Sequence, residues 1–318
     1  MIEQNICIKR QKSKENVITI LKTVFCIFIL FISVIFAEKI KEGVIYGIRL
    51  SALCVIPSVF PFFVLSDIIC TIRLPSGKLA KGFERLIGVR GELFDCFIFS
   101  TVCGFAVGAK LCTEKGRSVF LSKNELASAL SLCSNPSLGF CIGAVGAVCF
   151  SSVKAGLLLF CSMISATIIT GLLFREKDVV KSSYYENSDN ILRQRFDFAT
   201  SIKNAAFASL SVSSFIIFFS AIVSLIEGLN IGKLPLAIIS SVFEVGNACA
   251  RLSALNLPRT LLFPLCGFAL GFSGLSVILQ ARSSTRYSIP FGRMFLFKLT
   301  EGVLCAAFSL ALFCIIPV

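Results

Sequence analysis

Apolar and polar positions alternate along the chain in long blocks, not with the period of a soluble amphipathic fold. Apolar runs cover about 17–37, 44–70, 93–109, 125–150, 153–174, 203–227, 236–250, 260–280 and 294–317. Runs of roughly 20 residues match an α-helix crossing a hydrocarbon layer about 30 Å thick. The runs at 93–109 and 236–250 are marginal for a full crossing. Three runs carry internal breakers: Pro57 and Pro61 in the second, Ser134-Asn135-Pro136 within 125–150, and Gly271-Phe272-Ser273-Gly274 within 260–280. The two prolines predict a kinked helix. The first run is long for a signal-peptide core, and Ile35-Phe36-Ala37 makes a poor cleavage site, so it reads as a retained helix.

Composition agrees with the blocks. Of 318 residues, 56% are apolar, 32 are Phe and only 15% are charged, against about a quarter charged in a soluble domain. The reading is an all-α polytopic membrane protein with about seven full spans and two re-entrant segments. Its expected divisions are 1–43 (basic segment and first helix), 44–174 (first half), 175–202 (hydrophilic loop) and 203–318 (second half).

Charge supplies the orientation. The net charge of +13 would suggest nucleic acid in a soluble protein, but here the basic residues fall in short connections, where they set topology and meet anionic headgroups. With the N-terminus cytoplasmic and the two short runs re-entrant, segments 1–16, 71–92, 110–124, 175–203 and 281–293 share one side and hold 22 of the 31 Lys and Arg. The opposite connections hold six, and three lie within spans. Full crossings by both short runs would put 175–203 outside, against the positive-inside rule. The halves then match in inverted order: a helix, a re-entrant piece and a broken helix in each, as in many secondary transporters. Phe105-Ala106-Val107-Gly108-Ala109 echoes Phe243-Glu244-Val245-Gly246-Asn247, while a competing echo links 103–108 with 266–271.

Broken helices at membrane depth leave main-chain groups unpaired unless protein or a wet cavity satisfies them. The breaks therefore nominate a solute site. Its expected members are Gly108 and Lys110, Ser134, Asn135 and Pro136, Glu244 and Asn247, and Gly271, Ser273 and Gly274. Lys110 follows the Gly104–Gly108 turn, and its ammonium reaches either an anion at the tip or the cytoplasmic interface. Glu244 is a candidate for cation coordination, proton carriage or pairing with Lys110. The glycines equally suit close helix packing. Ser276 and Gln280 are secondary candidates. Arg49, Asp67, Lys298 and Glu301 read as snorkelling or ion-paired, the last two at i, i+3.

Several chemistries are not expected. With no His there is no imidazole base or histidine zinc ligand. The chain has no G-x-x-x-x-G-K-[ST] and no G-x-S-x-G. The 15 Cys show no C-x-x-C pair and read as small buried hydrophobes. The chain is expected to be neither an enzyme nor a cofactor or metal protein. Its expected partners are a small anionic solute and membrane lipids, with homo-oligomerisation open and no nucleic acid.

The stretches VIPSVFPFFVLS (55–66), GFAVGAKL (104–111), SLCSNPSLGFCIGAVG (131–146), FEVGNACARLS (243–253) and GFSGLSVILQ (271–280) together resemble sporulation integral membrane proteins of the YlbJ type, within the Gate (nucleoside-recognition) superfamily. The resemblance runs over roughly 44–315. It implies two Gate-like halves, a membrane around the developing forespore, and movement of dipicolinic acid towards the spore. One departure is Ala106, where the family often has Pro. A nucleoside or ion permease of the wider superfamily, or a non-transporting scaffold of the spore envelope docking through 175–202, are the alternatives.

Overall fold

The computed structural model describes residues 19–24, 26–70, 77–119, 121–175, 197–229, 231–285 and 287–316. The described residues are helical throughout, with no strand among them. In chain order the helices are α1 (Thr19–Ile35), α2 (Ala37–Leu50), α3 (Ile56–Cys70), α4 (Gly77–Ile87), α5 (Phe94–Cys103), α6 (Phe105–Val119) and α7 (Lys123–Leu132). They continue with α8 (Phe140–Phe150), α9 (Val153–Leu173), α10 (Phe198–Glu227), α11 (Lys233–Phe243), α12 (Val245–Ser253), α13 (Arg259–Phe272), α14 (Gly274–Ser283) and α15 (Phe291–Ile315).

Among these, α9, α10, the α13–α14 pair and α15 are long and apolar enough to cross a membrane. A fifth candidate arises if the helix Thr19–Ile35 and the segment Ala37–Val55, which meet at 86°, form one span. The chain is thus a polytopic helical membrane protein. Large apolar side chains face outward, including Leu53, Phe207, Phe218 and Val303, as lipid contact requires. The expected count of about seven full spans is not met by uninterrupted helices, because the remaining apolar segments are short helices meeting at breaks.

Local chemistry sets many helix starts. Ser122 and Glu125 form a reciprocal capping box at α7, with N–H···O distances of 3.1 and 2.8 Å. The Ser152 hydroxyl accepts from Ala155 N at α9, and Asp197 accepts from Ala199 N and Thr200 N at α10. Helices then pack through small residues. A Cβ on Gly43 or Gly47 of α2 would come within 2.6–2.7 Å of α10 atoms, and one on Gly267 or Gly271 of α13 within 2.3–2.7 Å of α15.

One sequence expectation gains detail and two change. The helix expected around Pro57 and Pro61 is present, with a π-helical turn over Ser51–Val55 just before Pro57. That wider turn relieves the clash of a proline ring with the preceding carbonyls. The loop expected at 71–92 contains α4. Ala80, Phe83 and Ile87 are buried at helical spacing, while Lys78, Lys81 and Arg85 are exposed. The dense charge concealed that apolar stripe. Finally, α6 continues through the polar turn expected at 110–124 as far as Val119.

Two apolar clusters form the core. One gathers Val55, Phe140, Leu159, Ile216, Ala248 and Phe263; the other gathers Phe83, Leu93, Leu130, Phe272, Ile278 and Phe297. Both mix residues from before and after 175–202, so the two halves share their core.

Candidate functional site

Four helix interruptions organise the centre of the molecule. At Gly104 (φ +95°) α5 gives way to α6, and the two fold back on each other. A Cβ on Gly108 of α6 would lie 2.4 Å from Ser100 Cβ of α5, although eight residues separate them in sequence. At Glu244, in extended backbone, α11 gives way to α12 in the same manner. Residues 133–137 separate α7 from α8, and Ser273 (φ +62°) with Gly274 (φ +82°) separates α13 from α14.

Each hairpin tip touches a break. Gly104 lies against Ser137: a Cβ built on it would sit 3.1 Å from Ser137 Cβ. Gly274 lies against Phe243 and Glu244, with a Cβ meeting Phe243 O at 2.8 Å and Glu244 N at 2.9 Å. In both contacts a glycine supplies the close approach and the positive φ.

Both tips, the 136–137 break and the first turns of α14 border a partly open pocket, with about 480 Å³ of space between the atoms, open solvent included. Gly104 and Phe105 contribute from the first tip, and Glu244 and Val245 from the second. Pro136 and Ser137 come from one break; Ser276 and Gln280 follow the other. Val55 of the π turn, Phe63 and Phe140 complete an apolar wall. Residues at or near the starts of α6, α8, α12 and α14 (Phe105, Ser137, Val245 and Ser276) are among those lining this pocket. Helix N-termini carry positive potential and free N–H donors. Two of them are already served: Ser137 Oγ accepts from Phe140 N at 3.1 Å, and the Glu244 carboxylate accepts from Gly246 N at 2.8 Å and Asn247 N at 2.6 Å. At α14 the Ser273 side chain gives no such cap; its hydroxyl donates to Leu270 O.

Of the residues expected from sequence, Pro136 and Glu244 line the cavity. Gly108 instead packs α6 against Cys133 and Ser100, and Gly271 packs α13 against α15. The Ser134 hydroxyl donates to Leu130 O. Asn247 Nδ2 donates to Ser220 Oγ at 2.6 Å, while its buried Oδ1 finds no partner among the described residues. Ser273 and Gly274 form the break without lining the space. Lys110 is exposed. The tip is at Gly104, and six residues of helix at 1.5 Å each carry Lys110 about 9 Å away. The expected pairing of Glu244 with Lys110 is absent, since the Glu244 carboxylate caps its own helix. Arg49 is likewise exposed, and the Asp67 side chain lies outside the described residues, as does most of the 175–202 loop.

Asn135 leads to a group that the sequence only hinted at. Lys298 Nζ donates to Asn135 Oδ1 at 2.7 Å and to Glu301 Oε2 at 2.9 Å. Asn135 Nδ2 donates to Thr167 Oγ1 at 2.9 Å and to Leu132 O at 3.2 Å. Thr167 Oγ1 lies 2.6 Å from Glu301 Oε1. Lys298, Glu301 and Thr167 are fully buried, and Asn135 is 1% exposed. The spacing of Lys298 and Glu301 foretold the ion pair, but nothing local to α15 foretold Asn135 and Thr167 as its neighbours. The available signal was a pair of charges alone inside the last apolar run.

Comparison with known proteins bears on this architecture. No protein-family model matches the chain, and no solved structure matches it. The chain is 25% identical over 309 residues to the sporulation integral membrane protein YlbJ of Bacillus subtilis (strain 168), an alignment covering 81% of this chain and 74% of that protein. Over most of its length, then, the chain is similar to a sporulation integral membrane protein of the YlbJ type, the resemblance its five motifs carry.

Proposed function

We propose that the chain is a membrane carrier, not an enzyme, and that the cavity between the hairpin tips is its solute site. The observation that carries this reading is the convergence of both hairpin tips, the 136–137 break and the start of α14 on one pocket. Irregular backbone at membrane depth is costly and is kept where it lines a cavity. The tip-to-break contact occurs twice, at Gly104–Ser137 and at Gly274–Glu244. That recurrence supports two Gate-like halves in an inverted repeat, with re-entrant hairpins 93–109 and 236–250 and about seven full spans. The charge distribution supports a cytoplasmic N-terminus.

The proposed solute is a small aromatic anion, dipicolinate, moved across the membrane around the forespore during sporulation. Helix N-termini near the pocket favour carboxylates, although Ser137 and Glu244 already serve two of the four, and Phe63, Phe105 and Phe140 give faces for a ring. Alternating access would proceed by one hairpin tip withdrawing from its break at a time.

A second reading rests on the same wall. The lining contains Glu244 and no Lys or Arg among the described residues, which suits a neutral ring-bearing solute such as a nucleoside. Gln280, Ser276 and Ser137 would then supply its hydrogen bonds. Uptake of labelled dipicolinate by purified protein in liposomes separates the two. Dipicolinate accumulation unaffected by excess nucleoside supports the first. Nucleoside uptake without dipicolinate uptake supports the second, and absence of both overturns the carrier reading.

A further inference from the structure

We propose that the Lys298 ammonium is a tethered cation filling a site built from Asn135, Glu301 and Thr167, so that this position takes no cation from solution. The ammonium is fully buried and held by oxygens from two different parts of the chain, Asn135 Oδ1 at 2.7 Å and Glu301 Oε2 at 2.9 Å. Thr167 Oγ1 bridges the other ends of these ligands, 2.9 Å from Asn135 Nδ2 and 2.6 Å from Glu301 Oε1. A carboxylate and an amide oxygen fixed by a hydroxyl form a ligand set for a small monovalent cation, and the lysine stem delivers one covalently.

Position gives the site its meaning. Asn135 and Thr167 precede the 175–202 segment, while Lys298 and Glu301 follow it, so the cation ties the two halves together. Asn135 also adjoins Pro136, which lines the central cavity. A buried pair of charges is seldom a gain in stability over apolar packing, and the rest of α15 at this depth packs with apolar residues such as Phe297 and Cys305. What the pair does supply is a charge-balanced ammonium donor fixed on Asn135 at the break between α7 and α8, whatever ions are present outside.

This deepens the carrier reading by assigning what occupies the cation position, but its test is made on stability and stands apart from uptake. Purified full-length protein is melted in sodium, n-propylammonium and choline chloride at equal ionic strength. The wild type is expected to melt at the same temperature in all three. Lys298→Ala is expected to fall by roughly 6–15 °C in choline, from the cost of an uncompensated buried charge. It should recover several degrees in propylammonium, which restores the missing ammonium, or in sodium. A Lys298→Ala protein indifferent to the three salts, or a wild type that sodium stabilises, overturns the proposal. Should Lys298→Ala not fold, Lys298→Gln and the double variant Lys298→Gln/Glu301→Gln carry the comparison. The single variant should melt lower than the double, because only it retains a bare carboxylate; equal melting overturns the proposal. If the melting results hold while no solute is taken up, the carrier reading fails and the tethered cation stands.

Discussion

The two hairpin-and-break units solve one problem with different chemistry. In the first, the tip is a glycine with positive φ, and the facing break is held by side chains: Ser137 caps α8, while Asn135 is tied through Lys298 to Glu301 on α15. In the second, the glycine has moved to the break, at Gly274, and the tip carries Glu244, whose carboxylate caps α12. The approach is closer in the second, 2.8 Å to backbone against 3.1 Å to a side chain for a Cβ built on each glycine, but only the first unit is pinned to the other half by buried charge. The second is held by short-range caps. This difference predicts that the second unit gives way more readily than the first, a property the proposed carrier cycle would use.

Substitutions sharpen that contrast. The largest effect is expected at the pin. Glu301→Ala leaves the Lys298 ammonium buried without its carboxylate and should lower stability by about 3–5 kcal/mol. Ser273→Ala, at the corresponding break, should cost only about 1 kcal/mol for one lost hydroxyl donor. Denaturant or thermal melts in one detergent check both, and equal losses would erase the distinction.

The glycines come next. Alanine at either position is strained by positive φ, at roughly 1–3 kcal/mol. At Gly274 the new Cβ would also meet the Phe243 carbonyl oxygen at 2.8 Å, whereas at Gly104 its nearest neighbour is the Ser137 side chain at 3.1 Å. Gly274→Ala should therefore be the more damaging by about 1 kcal/mol, measured in the same melts. The reverse order would mean that the second tip yields more readily than its break.

Glu244 is a smaller lever. Glu244→Ala removes the acceptor for two buried N–H groups and should cost about 1–2 kcal/mol. Glu244→Gln keeps one acceptor and should lose less. Hydrogen exchange at Gly246 and Asn247 should quicken in the alanine variant, while Gly104 and Phe105 stay unchanged.

The smallest effect lies at the start of α10. There the Thr200 hydroxyl, then the Thr200 and Ala199 N–H groups, hold the exposed Asp197 carboxyl below its usual range. A carboxyl with a lowered folded pKa contributes stability above its unfolded pKa, and the contribution fades as pH falls through the folded one. Protection of the Thr200 amide, measured against its intrinsic exchange rate, should fall in acid in the wild type and show no such dependence in Asp197→Asn.

Much of this architecture was legible beforehand. Apolar run length marked α9, α10 and α15, and the breakers Asn135-Pro136 and Gly271–Gly274 marked two interruptions that the fold contains. Local chemistry explains those successes, since proline and glycine act where they stand. The exact turning points were harder. The sequence places a turn over Gly104–Gly108 and a charge at Glu244 within short apolar pieces, but nothing local marks Gly104 and Glu244 themselves as the turning points, and a turn extending to Gly108 draws Lys110 too near the tip. Helix α6 runs on because its buried positions, Ala109, Cys112 and Thr113, pack on α7 regardless of the charges between them. The Lys298 network was hidden because its partners stand 131 to 166 residues apart, and no periodicity encodes such a meeting.

The central claim is that a solute occupies the pocket bordered by the two tips, the 136–137 break and the start of α14. Electron cryomicroscopy of the protein saturated with the solute whose uptake it supports tests this most directly. The account predicts ring-shaped density between Gly104, Ser137, Glu244 and Ser276, with Lys298 still bonded to Asn135. Density at the lipid-facing surface or beside Lys110, with the central space empty, would contradict it.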